Sequence, residues 1–286
     1  MLSDGEKIGL IAGSGTFPIN FAYAARQSGH PVTALAIEGF APPELANHVD
    51  EIHWLGAGQL DTLIGLCHEK NISHLALAGK IEHLTIFNLG KIETRVARIL
   101  ARLTDRRAET IARALIEELE SENIQIFDSS LFLKSFLPSR GLLTKNRPLQ
   151  PRERRDIEFA WPLVREVARL DIGQTLVVKD GVILAVEGAD GTDATIRRGG
   201  QIAGPGTVVV KTSRPHQDFR FDLPVVGLTT IATMAEVDAT ALAIAATETL
   251  FFDREQTIAL AEKSNVSIMA WPDECSPPSA EGEKQP

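Results

Sequence analysis

The chain has 286 residues, enough for about two domains. Hydrophobic residues make up 44% of it and charged residues 23%, a balance that excludes wholesale disorder. Its 38 acidic and 29 basic residues give a formal charge of -9, which excludes a diffuse basic surface for nucleic acid. Cys67 and Cys275 lie far apart and outside any C-x-x-C pair, so we expect a cytoplasmic protein with neither a disulfide framework nor a cysteine zinc site.

The two ends of the sequence give further expectations. The first residues lack the basic region and long apolar stretch of a signal peptide, and no run reaches the ~18 apolar residues of a membrane-spanning helix. Residues 273–286 (DECSPPSAEGEKQP) are rich in proline, serine and glutamate without periodicity. Such a segment cannot bury enough surface to order itself, so we expect a disordered tail there.

The first half alternates short apolar runs with amphipathic stretches, which predicts a Rossmann-like α/β domain with a parallel sheet over residues 1–137. The expected strands are Ile8–Ala12, Val32–Ile37, Ile52–Leu55, His74–Ala78 and Ile124–Phe127, and the expected helices are Pro18–Ser28, Gln59–Glu69 and Leu103–Glu120.

Three prolines among basic and polar residues indicate a linker over residues 138–152, and a distinct α+β domain is expected over residues 153–272. Its clearest local feature is the Asp180-Gly181 pair between two β-branched runs, a strong hairpin signal. The other expected strands are Thr207–Lys211, Glu248–Phe252 and Val266–Ala270, and the expected helices are Glu153–Leu170, Met234–Ala246 and Arg254–Lys263.

A glycine-rich turn follows the first predicted strand. Gly13 and Gly15, with Ser14 between them, allow backbone amides to approach a phosphate at the start of the next helix. The third glycine of a dinucleotide fingerprint is missing, although Glu38 lies where a ribose-binding acid is expected. The glycines therefore indicate either an NAD site, a site for a different phosphate, or only a tight turn. Lys80 follows another strand, at the edge where open α/β sheets bind ligands; the alternative is a surface lysine.

The second half gathers acids and bases in clusters without periodicity, at residues 187–193, 197–200 and 211–222. Only one of the seven histidines, His216, lies there, which excludes a multi-histidine metal site within that domain. Oxygen ligands suit Mg²⁺, which takes one or two carboxylates and leaves its other positions to phosphates and water. Neighbouring Arg and Lys residues would complement a phosphate-rich substrate.

Asp222 is the most prominent of these acids, because its apolar neighbours predict a partly buried carboxylate that needs a cation or a partner. The structural alternative is that residues 188–193 form only a turn and that Arg220 and Asp222 form an ion pair.

Three segments resemble the LpxI-type UDP-2,3-diacylglucosamine pyrophosphatases of lipid A biosynthesis: GLIAGSGTFP (9–18), DIGQTLVVKDGVILAVEGADGTDATIRR (171–198) and RPHQDFRFDLPVVGLTTI (214–231). The resemblance implies a cytoplasmic, Mg²⁺-dependent hydrolase whose two domains hold the substrate between them. It also implies cleavage of the pyrophosphate of UDP-2,3-diacylglucosamine to UMP and 2,3-diacylglucosamine 1-phosphate (lipid X).

The resemblance also assigns residues. The family's essential aspartate in an R-x-D-L-P run falls on Asp222, its flanking Gln and Arg on Gln217 and Arg220, and its G-T-D-A turn on residues 191–194, which include Thr192 and Asp193. The combined hypothesis has Mg²⁺ bound by Asp222 and a second acid, while basic side chains neutralise charge in the transition state. The candidate second acids are Glu187, Asp193 and Asp218, and the candidate basic side chains are Lys211, Arg220 and Lys80.

The acyl chains of such a substrate require an apolar slot or a transient contact with the inner membrane surface. Phe132, Leu133, Phe136 and Leu137 form a candidate slot, although runs of this kind are more often core. The sequence leaves open whether the protein forms a homodimer. The alternatives are a nucleotide-sugar binding protein without catalysis, an NAD-dependent oxidoreductase built on the glycine turn, and a structural adaptor.

Overall fold

The computed structural model describes residues 2–80, 92–105, 107–215 and 217–272, so the expected tail and His216 lie outside the described residues. The chain divides into two compact units. The first unit comprises Met1–Lys134 together with Asp218–Leu223, and the second comprises Ser135–Gln217 together with Pro224–Pro286. These units differ from the predicted domains mainly in the short segment 218–223.

The first unit contains a five-stranded parallel sheet in the order β3-β2-β1-β4-β5. Its elements are β1 (Ile8–Ala12), α1 (Phe17–Gln27), β2 (Val32–Ile37), β3 (Glu51–Leu55), α2 (Leu60–Glu69), β4 (His74–Ala78), α3 (Thr94–Arg102), α4 (Ala108–Ser121) and β5 (Gln125–Ile126). The predicted Rossmann-like sheet is confirmed. The helix expected from Leu103 begins instead at Ala108, and α3 is an additional helix before it.

Continuous apolar runs form these strands because both faces of the sheet are covered. All residues of β1 and β2 are buried. Ile11, Leu35 and Leu75 pack with side chains of α2, α3 and α4 on one face, while α1 contacts the sheet through β1, β2 and β4. The strand order reverses between β1 and β4, and ligands of open α/β sheets bind at such a switch point.

The second unit contains a six-stranded mixed sheet in the order β6-β13-β11-β9-β7-β8. Within it β9, β11 and β13 are parallel, and β7 is antiparallel to both of its neighbours. The elements are β6 (Gly141–Leu142), α5 (Pro151–Arg169), β7 (Thr175–Lys179), β8 (Val182–Val186), α6 (Gly191–Ala203), β9 (Val208–Lys211), β10 (Val225–Val226), α7 (Leu228–Glu236), β11 (Ala241–Ala245), β12 (Leu250–Phe251), α8 (Arg254–Lys263) and β13 (Ser267–Trp271).

Alternate residues of the central strands enter two different cores. Val208, Val210 and Ala243 pack with α5, whereas Val209, Leu242 and Ile244 pack on the opposite face, where α6, α7 and α8 contribute side chains. The helix expected over Met234–Ala246 is therefore wrong in its second half, which forms strand β11. Burial on both faces overrides the helical propensity of its three alanines.

Two other segments are more regular than expected. Residues 191–194, expected as a turn, are the first turn of α6. The stretch expected as a linker, residues 138–152, supplies β6 to the sheet and the capping residue Gln150 to α5. Among the described residues, no helix combines the length and the apolarity needed to cross a membrane.

Candidate functional site

The loops that follow β1 and β4 meet at the switch point of the first unit. The Ser14 amide donates to the Lys80 carbonyl at 2.9 Å, and the Lys80 amide donates to the Ser14 carbonyl at 3.2 Å. The Ser14 hydroxyl also donates to the Lys80 carbonyl at 2.8 Å, and the Gly13 amide donates to Ala78 at 2.8 Å. Gly13 and Gly15 were expected to let backbone amides approach a phosphate. The amides of Gly13 and Ser14 instead donate within the protein.

The glycines of these loops allow the two backbones to approach each other. A Cβ atom on Gly13 would lie 2.8 Å from the Lys80 carbonyl oxygen, and one on Gly79 would lie 2.6 Å from the Ser14 carbonyl oxygen. Gly15 differs, because a Cβ there would meet nothing within 4 Å, although its φ of +90° equals that of Gly79. Gly15 and the exposed Lys80 side chain are therefore the parts of the predicted glycine-turn site that face open space.

Segment 218–223 is held on the first unit by backbone and side-chain contacts. The fully buried Ser129 donates its amide to the Phe219 carbonyl at 3.1 Å and its hydroxyl to the Arg220 carbonyl at 3.2 Å. The Phe221 ring packs against the core between the sheet and α2, α3 and α4. Sequence reasoning missed this placement, because nothing in the local pattern shows that six residues of the second half belong to the first unit.

Arg220 is enclosed by carboxylates within this unit. Its guanidinium donates to both oxygens of Asp218 at 2.9 and 2.8 Å and to Glu120 of α4 at 3.0 Å. The hydrogen bonds from Arg220 hold the pKa of the Asp218 carboxyl below its usual value, and Asp218 in turn raises the pKa of Arg220. The ion pair that fixes this segment therefore joins Arg220 to Asp218 and Glu120, rather than to Asp222 as the structural alternative had it.

Asp222 is half-buried at the end of a tight turn. Its amide donates to the Asp218 carbonyl at 2.9 Å, and the Phe221 amide donates to the same oxygen at 3.1 Å. The backbone that carries the Asp222 carboxylate is thus fixed on one side by the ion pair of Asp218 with Arg220. On the other side it is fixed by the partly buried Phe221.

A second polar cluster lies at one edge of the sheet in the second unit. The Lys211 ammonium donates to the Thr192 hydroxyl at 3.1 Å, and that hydroxyl donates to Glu187 at 3.0 Å. The other oxygen of Glu187 accepts a hydrogen bond from the backbone amide of Gln174 at 3.2 Å. Lys211 is only 6% exposed and Glu187 only 8%. We call Glu187, Thr192 and Lys211 the Lys211 cluster.

Topology brings the cluster together. β8 and β9 run in the same direction, because each is antiparallel to β7, so Glu187 after β8 and Lys211 at the end of β9 share one edge. Thr192 reaches this edge from the first turn of α6. Burying two opposite charges costs free energy unless they are paired and hydrogen-bonded, and Thr192 supplies a hydrogen bond to each.

Two glutamine side chains carry buried polar atoms that have no hydrogen-bond partner within the described part of the chain: Gln217 Nε2 and Gln174 Oε1. The Gln217 Oε1 atom accepts the Arg214 amide at 2.9 Å, so the side chain is oriented and its amide nitrogen can donate to a ligand. Sequence reasoning named Gln217 but missed Gln174, because a single glutamine before a strand carries no pattern; its presence in the segment 171–198 was the only signal.

The predicted Mg²⁺ site can be tested against the donors present. No group of three or more His, Cys, Asp or Glu residues in the described ranges is arranged to hold a metal ion. Both carboxylate oxygens of Asp218 are hydrogen-bonded to Arg220, so Asp218 does not fit the ligand role predicted for it. Asp193 lies in the second unit, on α6, and Asp222 lies in the first. Mg²⁺ can bind through one protein carboxylate when substrate phosphates supply its other ligands, so a predicted role for Asp222 needs no second acid beside it.

The candidate acyl slot is largely core. Leu133 is fully buried, Phe132 contacts Phe21 at a ring-centroid distance of 5.8 Å, and Phe136 contacts Phe252 at 5.3 Å. The alternative given with that prediction, ordinary packing, therefore accounts for these three side chains.

Solved structures resemble this chain only weakly. An ADP complex of N5-carboxyaminoimidazole ribonucleotide synthetase matches 62% of this chain and 33% of its own, with 16% identity and a TM-score of 0.29. The phosphoribosylglycinamide synthetase of Anaerococcus prevotii matches 64% and 38%, with 14% identity and a TM-score of 0.23. This chain thus spans less than half of either structure, and such scores support no argument about fold or function.

Sequence relatives are much more informative. The UDP-2,3-diacylglucosamine pyrophosphatase LpxI of Caulobacter vibrioides is 28% identical over 275 residues, which cover 92% of this chain and 97% of that protein. The family model of the LpxI N-terminal domain matches residues 7–136, and that of the LpxI C-terminal domain matches residues 139–269. The chain therefore belongs to the LpxI family.

Proposed function

We propose that this chain is a cytoplasmic enzyme that hydrolyses the pyrophosphate of UDP-2,3-diacylglucosamine, releasing UMP and 2,3-diacylglucosamine 1-phosphate in lipid A biosynthesis. The observation that carries the proposal is the match of both LpxI domains, in order, together with a relative that is named for this activity and aligns over 92% of this chain and 97% of its own. In the reaction a water oxygen bonds to one phosphorus and the bridging P–O bond breaks. The departing phosphate keeps the electron pair of that bond, and the proton lost by the water passes to solvent.

Asp222 is the proposed central carboxylate. Its backbone is fixed by the Asp218 carbonyl, and its carboxylate is the one that we assign to Mg²⁺. When bound, Mg²⁺ would supply positive charge to the pyrophosphate and would make a nearby water more acidic. Asp222 would hold the ion and orient the water by hydrogen bonding. Arg220, predicted as catalytic, is better placed to anchor this segment, because its charge is already balanced by Asp218 and Glu120.

The Lys211 cluster is the proposed source of positive charge. Lys211 is nearly buried, where a cation interacts with phosphate more strongly than it does in water. Glu187 holds Thr192 by a hydrogen bond, and Thr192 holds the Lys211 ammonium, so we assign Glu187 and Thr192 positioning roles. Gln217 would bind the substrate through its buried amide nitrogen, and Gly15 and Lys80 would do so at the switch point.

The proposal is tested by incubating purified protein with UDP-2,3-diacylglucosamine and following products by ³¹P NMR. We expect stoichiometric UMP and lipid X in Mg²⁺ and a loss of turnover in excess EDTA. Binding of the substrate without any product in Mg²⁺ would favour a nucleotide-sugar binding protein. If products formed at an unchanged rate in EDTA, the proposed reaction would stand, but the proposed requirement for Mg²⁺ would be wrong.

A further inference from the structure

Among the residues that the structure describes, two glutamines of the second unit each bury a side-chain atom that has no hydrogen-bond partner. Gln174 Oε1 is an acceptor, and Gln217 Nε2 is a donor. Buried polar atoms without a partner are rare in folded proteins, because each one costs free energy. In a binding site, the ligand supplies the missing partner. Together the two atoms match a ligand group that has both a donor and an acceptor.

The backbone of Gln174 is fixed on both sides, next to the Lys211 cluster. Its amide donates to Glu187 at 3.2 Å, and its carbonyl accepts the Thr212 amide at 3.0 Å. Thr175 is paired with Lys211 in the antiparallel ladder of β7 and β9, so the bond from Thr212 to Gln174 continues that ladder past the strand ends. Gln174 therefore lies at the same edge of the sheet as Lys211.

Gln217 is held beside the same extension of the ladder. Its amide donates to the Arg214 carbonyl at 3.2 Å, and its Oε1 atom accepts the Arg214 amide at 2.9 Å. Arg214 also forms an ion pair at 3.2 Å with Asp171, which precedes Gln174 by three residues. The chain segments that carry the two glutamines therefore lie side by side. The bond from the Arg214 amide also settles the orientation of the Gln217 side chain, so that the atom left to a ligand is the nitrogen.

The hydrogen-bonding roles of these two atoms decide which part of the proposed substrate suits them. An ionised phosphate accepts hydrogen bonds and has no donor to offer to Gln174 Oε1. An N–H donor stands near a carbonyl acceptor in two other parts, the uracil ring and the acylated amide of the glucosamine. In a trans amide the N–H and the C=O point in opposite directions. In uracil the N3–H and its neighbouring carbonyls point to the same side, which suits partners from adjacent segments.

We propose that Gln174 and Gln217 read the uracil ring of the substrate. Gln174 Oε1 accepts the N3–H, and Gln217 Nε2 donates to a carbonyl beside it, while Lys211 at the same edge interacts with phosphate. Cytosine would lose the first of these bonds, because its N3 is an acceptor and would face the acceptor Gln174 Oε1. The inference rests on the proposed function and adds a base-specific contact to it.

The test is the binding of UMP, CMP and detergent-dispersed lipid X to the full chain, measured by titration calorimetry. UMP and CMP share ribose and phosphate and differ only in the base, so the intact protein should bind UMP about tenfold more tightly or better. Gln174→Met keeps a similar length and removes the acceptor. It should weaken UMP binding about tenfold, abolish the preference over CMP and leave lipid X binding unchanged. Gln217→Met should also weaken UMP binding. The matched control is Gln201→Met at an exposed position of α6, which should bind all three ligands like the unaltered chain.

Equal affinities of the intact protein for UMP and CMP would overturn the proposal, and this comparison needs no variant to fold. A Gln174→Met variant that loses affinity for lipid X but not for UMP would also overturn it, because the glutamine would then contact the acylated sugar. Hydrolysis of the substrate separates this inference from the proposed function. Hydrolysis without discrimination between UMP and CMP would remove only the uracil contact, whereas selective UMP binding without hydrolysis would leave that contact and remove the reaction.

Discussion

Single hydroxyl and carboxylate groups hold the charges of the candidate site in place. In the Lys211 cluster, the Thr192 hydroxyl is at once the donor to Glu187 and the acceptor from Lys211. A hydroxyl is one of the few side-chain groups that can act in both ways. The Thr192 oxygen therefore links the two buried charged groups, and its removal would cost each of them one hydrogen bond.

Replacing Thr192 tests the positioning role. Thr192→Val keeps the shape and removes the hydroxyl, so Lys211 loses its alignment, and we expect kcat to fall by about tenfold or more with a smaller change in KM. Thr192→Ser keeps the hydroxyl and should stay within about threefold of the original rate. Steady-state kinetics on both variants measure this. Equal losses in the two variants, or a lower melting temperature with unchanged kcat, would contradict the positioning role.

The pair between Asp218 and Arg220 predicts a pH dependence of stability. The pKa of Asp218 is lowered in the folded protein, so the stabilisation is complete above the unfolded pKa of about 3.9 and is lost as pH falls through the lower folded value. Asp218→Asn should destabilise the first unit by about 1–3 kcal/mol at pH 7. Calorimetry from pH 7 to pH 3 should show this difference shrinking below about pH 4. If the difference in unfolding free energy between Asp218→Asn and the unaltered chain stayed constant with pH, packing rather than the ion pair would account for it.

At the scale of the elements, the sequence predicts the first unit well and the second less completely. Apolar runs buried on both faces mark β1, β2 and β4, and the Asp180-Gly181 turn marks the hairpin of β7 and β8. β11 escaped prediction because an Ala-rich run satisfies both helix propensity and a buried strand, and only its neighbours β9 and β13 decide between them. The start of α6 was not predicted, because the residue types at positions 190 and 191, Asp and Gly, are common in turns as well as at helix starts.

The residues of the candidate site were also predicted only in part from the sequence. Asp222, Lys211 and Thr192 could be named from chemistry and resemblance, because clusters of charged and hydroxyl side chains are visible in sequence. The pairing of Arg220 with Glu120 could not be predicted, because Glu120 lies 100 residues away and only the fold brings it near. The glycine turn does follow β1, yet the amides of Gly13 and Ser14 donate within the protein, since sequence shows where glycine occurs and not what approaches it.

The meeting of the β1 and β4 loops can be tested with two matched glycines. Gly79 and Gly29 have φ values of +90° and +87°, but a Cβ on Gly79 meets the Ser14 carbonyl oxygen at 2.6 Å, whereas one on Gly29 meets nothing within 4 Å. Both alanine variants bear the cost of a positive φ. Gly79→Ala should be less stable than Gly29→Ala by a further ~1–3 kcal/mol because of the clash. Equal unfolding free energies by urea titration would contradict the close approach.

For the whole molecule, the notable feature is the path of the chain. It leaves the first unit at Lys134, returns for residues 218–223, and re-enters the second unit at Pro224. The residue proposed as central, Asp222, is thus encoded in the half of the sequence matched by the C-terminal family domain but is packed with the first unit. The function proposed here therefore requires both halves of the chain, since neither half alone contains Asp222 together with the core that positions it.

The most direct measurement compares Asp222→Asn with the unaltered chain in the release of UMP from UDP-2,3-diacylglucosamine. Asp180→Asn, in the exposed β7–β8 turn, is the matched control for the loss of one carboxylate. We predict that Asp222→Asn lowers kcat by about 1,000-fold or more while the melting temperature stays near that of the control, because a ligand of the reacting centre is lost rather than a core contact. Near-normal turnover by folded Asp222→Asn would contradict the account.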